Sequence, residues 1–170
     1  VLADHGAVQF VFHFEQTLGF VFADFLQRDA RHLRHDFGDH VFIDDAGCIV
    51  AEYRANLSAG GQPGPGDAFL KWLLTQEWSG QKVTRVPITA VADDEQGFAE
   101  LPKPPHGVLY DRSDRKFLAV AAAHPEHPPI LQSFDSKWWG WQDALEAAGV
   151  RIAFLCKDAI AEKHAEKMGP

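Results

Sequence analysis

Acidic side chains follow two apolar segments that are typical of buried strands. Asp44 and Asp45 come directly after His40–Ile43, and Asp135 follows the segment that begins at Ile130–Leu131. In open parallel sheets, ligands bind outside the carboxyl ends of the strands. We therefore expect these carboxylates to lie at one edge of a sheet.

Other acids lie where they could join that edge. Glu52 and Asp114 fall at or inside helices that follow such loops, and Asp4 joins them if the residues before it end a strand. Carboxylates a few ångströms apart resist joint ionisation, and a hard divalent cation with oxygen ligands, Mg²⁺ or Mn²⁺, relieves that repulsion. A metal held in this way activates water and stabilises an in-line displacement at a phosphodiester. Such chemistry needs acids but no nucleophilic side chain.

Strands and helices alternate along the chain. The apolar residues of Leu18–Leu26 recur at helical spacing and predict a helix over 17–34, and the Gly and Pro residues of Ser58–Gly66 predict a loop. The predicted strands are His40–Ile43, Lys82–Thr89, Ile130–Leu131 and Val150–Leu155. The other predicted helices are Ile49–Leu57, one that Asp67 caps, one that Ser113 or Asp114 caps, and Trp138–Ala148. This alternation predicts one α/β domain over residues 1–170 with a mostly parallel sheet.

The charge of the chain limits how it could meet a polyanion. It has 24 acidic and 16 basic residues, which gives a net charge of −8. A protein this acidic does not bind nucleic acid through its overall field, so a bound cation or a local basic patch must mediate the contact. Cys48 and Cys156 lack zinc-binding spacing and are interpreted as free thiols. The sequence shows no signal peptide and no membrane span, so a cytoplasmic protein is expected.

The acids lie in short motifs whose order is informative. Asp114 opens a helix that continues through Ala119 and Ala121, Ser133-Phe134-Asp135 ends a strand, and Glu52 lies within a helix. These segments resemble the third, fourth and second acidic motifs of PIN-domain ribonucleases. Asp111-Arg-Ser-Asp114 and Asp135-Ser-Lys-Trp are similar to a bacterial, toxin-type subgroup, and the resemblance covers residues 42–156.

The resemblance implies an α/β sandwich whose central, mostly parallel sheet is flanked by helices, an RNA substrate, and Mg²⁺ or Mn²⁺ as cofactor. It also implies that Glu52, Asp114 and Asp135 are catalytic and bind the metal together with Asp4. Many family members are toxins, so an antitoxin is an expected partner, whereas a homodimer is left open. The first motif departs from the family, whose Asp-Thr/Ser-Asn is replaced here by Asp4-His5-Gly6.

Two cations lie beside the expected metal ligands. Arg115 follows Asp114 directly, and Lys137 comes shortly after Asp135, so we expect both to contact the substrate phosphate. The cluster Trp138, Trp139 and Trp141 could stack on bases, although aromatic residues at such spacing more often seal a helix against a sheet.

Simpler interpretations of the acids remain open. Asp111 and Asp114 could cap one helix and Asp135 the next, which stabilises a helix by about 1 kcal/mol. Glu52 could be a surface charge paired with Arg54 or Lys71. A PIN-like module that binds a protein or RNA without cutting it is therefore the alternative function.

A second enzyme class is suggested by Asp44-Asp45-Ala46-Gly47-Cys48. Haloacid-dehalogenase-like phosphatases place Asp-x-Asp-Gly-Thr at a strand end, where the first Asp is the nucleophile. The present segment has different spacing and lacks the Thr, so a turn is the preferred interpretation.

Overall fold

The structure is a computed structural model that describes residues 9–13, 40–61, 65–92, 97–104, 108–132 and 135–168, with the backbone alone at 9–13. Asp4, the helix expected over 17–34 and the Ser133-Phe134 part of the fourth motif lie outside these residues.

Five strands form one sheet in the order β3-β2-β1-β4-β5. They are β1 (Gln9–His13), β2 (His40–Asp44), β3 (Val83–Val86), β4 (Ile130–Gln132) and β5 (Ile152–Phe154). Every neighbouring pair is parallel, with Phe10 opposite Val41 and Val11 opposite Ile130 across the centre of the sheet. Parallel strand pairs, which the sequence predicts, are thus present, whereas β1 was not predicted as a strand. The carboxyl ends of β2 and β4 share one edge.

Helices connect β2 to β3, β3 to β4 and β4 to β5, as parallel pairing requires. The described residues contain five: α1 (Cys48–Asn56), α2 (Pro65–Gln76), α3 (Arg112–Ala123), α4 (Lys137–Ala147) and α5 (Lys157–Met168). The mixed α/β class is therefore confirmed. Within the described part of the chain, no helix is long and apolar enough to cross a membrane.

The helices differ from the predicted ones at several points. The prediction that Asp67 caps α2 is wrong, because the helix begins at Pro65 and Asp67 lies in its first turn. Proline suits this first position since the N–H that it lacks would have no partner within the helix. The prediction that Ser113 or Asp114 caps α3 is wrong, because the helix begins at Arg112 and Asp111 occupies the N-cap position. The terminal helix α5 was not predicted from the sequence.

Helix α3 lies in the centre of the core. Its residues from Asp114 to Ala121 are all buried, so this helix has almost no solvent-facing side over two turns. Phe117 packs near Tyr53 of α1 at a ring-centroid distance of 6.3 Å, and Tyr53 packs edge-on against Phe69 of α2 at 5.8 Å. This burial fixes the position of the acidic first turn of α3 relative to the sheet.

Replacing Phe117 with Ala tests how far α3 depends on this packing. We expect Phe117→Ala to lower the free energy of unfolding by about 3–5 kcal/mol, because a fully buried aromatic side chain leaves a cavity. Urea unfolding followed by tryptophan fluorescence measures the change. A loss below about 1 kcal/mol would mean that the site closes over the missing ring.

Candidate acidic site

The fourth motif places Asp135 between β4 and α4. Its Oδ1 accepts a hydrogen bond from the backbone N–H of Lys137 at 3.1 Å, which satisfies one of the free N–H groups at the start of α4. Its Oδ2 lies 2.9 Å from the ammonium nitrogen of Lys137. The two oxygens of this buried carboxylate therefore differ: one holds the helix and the other faces a cation.

The third motif places Asp111 and Asp114 one turn apart at the start of α3. Asp111 occupies the N-cap position, but its side chain forms no capping hydrogen bond. The backbone N–H of Asp114 donates to the Asp111 carbonyl at 2.9 Å, so the turn is closed by the backbone. Residues three apart on a helix lie on the same side, which leaves both carboxylates directed to one point.

Lys137 occupies that point. Its Nζ is 3.0 Å from Asp114 Oδ2 and also forms an ion pair with Asp111 Oδ2. With the Asp135 contact, one ammonium is shared by three carboxylates. We call these four side chains, Asp111, Asp114, Asp135 and Lys137, the acidic site.

Burial within the acidic site is uneven. The side chains of Asp114 and Asp135 are 1% and 6% exposed, whereas those of Lys137 and Asp111 are 31% and 53% exposed. Solvent therefore reaches the site from the side of Lys137 and Asp111. Trp141 borders the ammonium, with Lys137 Nζ 5.9 Å from its ring centroid.

The carboxylates change the proton affinity of Lys137. Burial lowers the pKa of its ammonium, but the contacts with the three carboxylates outweigh that effect and hold the pKa above its ordinary value of 10.5. The ammonium is therefore fully protonated at neutral pH, and it offsets part of the repulsion among the acids.

Glu52 is held by a different lysine. Its Oε2 forms an ion pair with Nζ of Lys116 on α3, and the same ammonium donates a hydrogen bond to the carbonyl of Ser113. The partners that the sequence suggested for Glu52 in its surface-charge interpretation, Arg54 and Lys71, are thus replaced by Lys116. Glu52 reaches the turn that carries Asp114, but through this lysine.

Arg115 points away from solvent. It is 4% exposed, and its Nε donates a hydrogen bond to the carbonyl of Tyr110 at 3.0 Å. A Cβ built on Gly97 would lie 3.4 Å from Arg115 Cδ, which shows how closely the backbone there covers the side chain. Contact between Arg115 and a phosphate remains a prediction, and it requires this side chain to leave its present position.

Asp44 lies at the carboxyl end of β2 but belongs to a helix start. Its Oδ2 and Oδ1 accept hydrogen bonds from the backbone N–H groups of Cys48 and Ile49 at 2.6 and 2.7 Å. The residue is fully buried, and the predicted turn after it is present. Because both oxygens hold α1, this geometry gives no support to Asp44 as a phosphatase nucleophile.

His164 of α5 supports the turn that carries Asp135. Its Nδ1 lies 2.9 Å from the carbonyl oxygen of Ser136, and its ring fits over Gly140 of α4, where an added Cβ would lie 2.9 Å from His164 Cε1. Sequence reasoning missed this residue because α5 was not predicted. The Gly140 within Trp138–Ala148 was the available signal, since glycine inside a helix marks close packing.

A metal ion is not accommodated among these side chains as they stand. In the described ranges, no three or more His, Cys, Asp or Glu side chains are grouped so that they could hold one directly. The structure does bring the expected residues Asp114 and Asp135 to one cation, and it adds Asp111. Glu52 lies in a separate pair, and Asp4 is outside the described residues.

Comparison of the chain with models of known protein families, with curated proteins and with solved structures found no match in any of the three.

Removal of the shared ammonium should destabilise the protein. We expect Lys137→Met to lower the free energy of unfolding at pH 7 by about 1–3 kcal/mol, because three carboxylates then lose their common cation. A pKa raised in the folded state contributes stability that is complete below the unfolded value and is lost as pH rises toward the folded value. The difference between the two proteins should therefore be constant up to about pH 9.5 and shrink above pH 10.5.

Denaturant titrations at several pH values measure this difference, with Lys157→Met, at an exposed lysine of α5, as the control for charge. A difference that grows above pH 10.5 would contradict the assignment.

The effect of Gly140→Ala on stability should change sign when the His164 ring is removed. Gly140→Ala alone is expected to destabilise the protein, because the added methyl group meets the His164 ring. In a His164→Ala background the same substitution should stabilise α4 by about 0.5–1 kcal/mol, the usual advantage of Ala over Gly in a helix. A double-mutant cycle measured by chemical unfolding tests this, and equal effects in both backgrounds would show that the ring does not oppose the methyl group.

Proposed function

We propose that this chain is a PIN-like domain that hydrolyses RNA phosphodiester bonds with a divalent cation held by its carboxylates. The observation that carries the proposal is the convergence of Asp111, Asp114 and Asp135 on a single cation, at the carboxyl end of β4 and the start of α3. The parallel sheet and the helices between its strands support the PIN-like sandwich that the proposal assumes.

The oxygen donors suit Mg²⁺ or Mn²⁺ by their chemistry, although Lys137 now occupies the point between them. Carboxylate oxygens are the ligands that these hard cations prefer, and the site already binds a positive charge. Asp114 and Asp135 would hold the metal, and the ion pair of Asp111 with Lys137 favours Asp111 as a third ligand. Glu52 and Asp4 belong to the set through the resemblance. A divalent cation supplies activation of water and neutralisation of phosphate charge.

The substrate would approach the acidic site from the side that solvent reaches. Asp114 and Asp135 are fixed by burial, and the exposed parts of Lys137 and Asp111 form the entrance to the site. Because the chain has a net charge of −8, its overall field opposes an incoming polyanion. A positive charge at the entrance is therefore needed to bind a phosphate next to the carboxylates.

An assay of RNA cleavage tests the proposal. Wild type should cleave a mixed RNA pool in Mn²⁺ and lose that activity in EDTA. Asp114→Asn should reduce cleavage at least roughly 100-fold, since a ligand of the metal loses its charge. The matched control is Asp143→Asn at an exposed position of α4, which should retain wild-type activity.

Equal cleavage by wild type and Asp114→Asn, purified identically, would contradict the proposal and indicate a contaminating nuclease. Thermal melts of all three proteins show whether each is folded.

A non-catalytic PIN-like module is the second candidate. It is favoured by the fact that Lys137 already pairs with all three acids and offsets part of their repulsion. This function predicts RNA or protein binding that persists in EDTA, with no cleavage in Mn²⁺. The toxin role, the antitoxin and a homodimer are parts of the proposal that depend on the resemblance alone.

A further inference from the structure

We infer that Lys137 is an internal competitor for the metal, so that cation binding at the acidic site releases its ammonium toward the substrate. The inference rests on the proposed function, because it takes a divalent cation at these carboxylates as given. It adds a regulated step, in which one side chain links metal loading to phosphate binding.

The competition follows from which oxygens are available. All three contacts of the ammonium are made to Oδ2 atoms, those of Asp111, Asp114 and Asp135. The other oxygen of Asp135 is used by the backbone N–H of Lys137, and Oδ1 of Asp114 lies 3.5 Å from the Ser113 hydroxyl. Because Asp135 Oδ1 is used by the helix, a metal held by Asp135 shares its Oδ2, the atom that now faces Lys137, with the ammonium.

The Oδ2 atom of Asp135 is incompletely satisfied by the lysine. It is buried and lies 2.9 Å from Nζ, yet within the described residues it forms no hydrogen bond of acceptable geometry. A carboxylate oxygen buried in this way retains a lone pair for another ligand. This is an observation separate from the clustering of acids, and it indicates that the site is suited to a cation other than the ammonium.

Both cations cannot occupy the site together. Mg²⁺ lies about 2.0–2.1 Å from its oxygen ligands, and the ammonium is 2.9–3.0 Å from the same atoms. Two cations on shared oxygens would thus be within about 5 Å of each other, where like charges repel strongly in a partly buried site. The divalent ion, with twice the charge, attracts the carboxylates more strongly.

The ammonium of Lys137 can move away from the carboxylates without disturbing helix α4. Its backbone N–H stays bound to Asp135 Oδ1, while its four-carbon side chain is 31% exposed at the open side of the site. The ammonium can turn outward while the Cα position is kept. It then lies at the entrance, where it can bind a phosphate oxygen, as the sequence position of Lys137 predicts.

Direct measurement of Mn²⁺ binding tests the competition. The electron paramagnetic resonance signal of free Mn²⁺ reports binding without any activity assay. We expect Lys137→Met to bind half-maximally at a Mn²⁺ concentration at least about tenfold lower than wild type. Lys137→Gln should shift in the same direction, which keeps the test usable if the Met variant does not fold. Lys157→Met, which removes the same charge elsewhere, should match wild type.

A second readout uses wild type alone. Acylation of Lys137 by acetic anhydride, measured by peptide mass spectrometry, should increase when Mn²⁺ is added, relative to acylation of Lys157. This increase is expected if the ammonium leaves the carboxylates.

The outcomes separate the inference from the proposed function. Unchanged or weaker Mn²⁺ binding in both Lys137 variants, or unchanged acylation while Mn²⁺ binds, would overturn the competition and leave the metal site standing. An absence of Mn²⁺ binding in every protein would overturn the metal site and the competition with it.

Discussion

Repulsion among three carboxylates is the constraint on which the acidic site depends. Asp114 and Asp135 are almost fully buried, and removal of charged groups from water costs several kcal/mol each unless a counter-charge is close. Lys137 supplies that charge, and its own proton is held more tightly in return. One lysine thus bridges the end of β4 and the start of α3 and offsets part of the repulsion among the three acids.

Parallel-sheet geometry allowed part of this site to be predicted. Asp114 and Asp135 were expected together because acids at strand ends and at the helix starts after such loops share one edge of a parallel sheet, and they do meet at one cation. The same argument applied equally to Asp44, which follows β2. The two strand ends differ in how many carboxylate oxygens accept hydrogen bonds from a helix. Both oxygens of Asp44 accept from N–H groups of α1, whereas only one oxygen of Asp135 accepts from α4 and the other faces Lys137.

Other features depend on packing that sequence patterns do not report. Arg115 was expected to contact a phosphate, which requires an exposed side chain, and Lys116 follows it in the same turn. Both are buried, because α3 runs through the core and its charged side chains find carbonyl and carboxylate partners there. Asp111 joined the site because the backbone closes its turn and frees its carboxylate. None of these choices can be derived from residue type or spacing alone.

The residues of the acidic site lie close together in the sequence, which bears on the order in which contacts form during folding. Only 26 positions separate Asp111 from Lys137, whereas the centre of the sheet joins Val11 to Ile130. The entropy lost on closing a loop grows with its length, so contacts between nearby residues form with the smaller loss. The segment from α3 to α4 can therefore bring its charges together before the first strand pairs with the fourth. The charges of the acidic site therefore need less ordering of the chain to meet than the central strands need to pair.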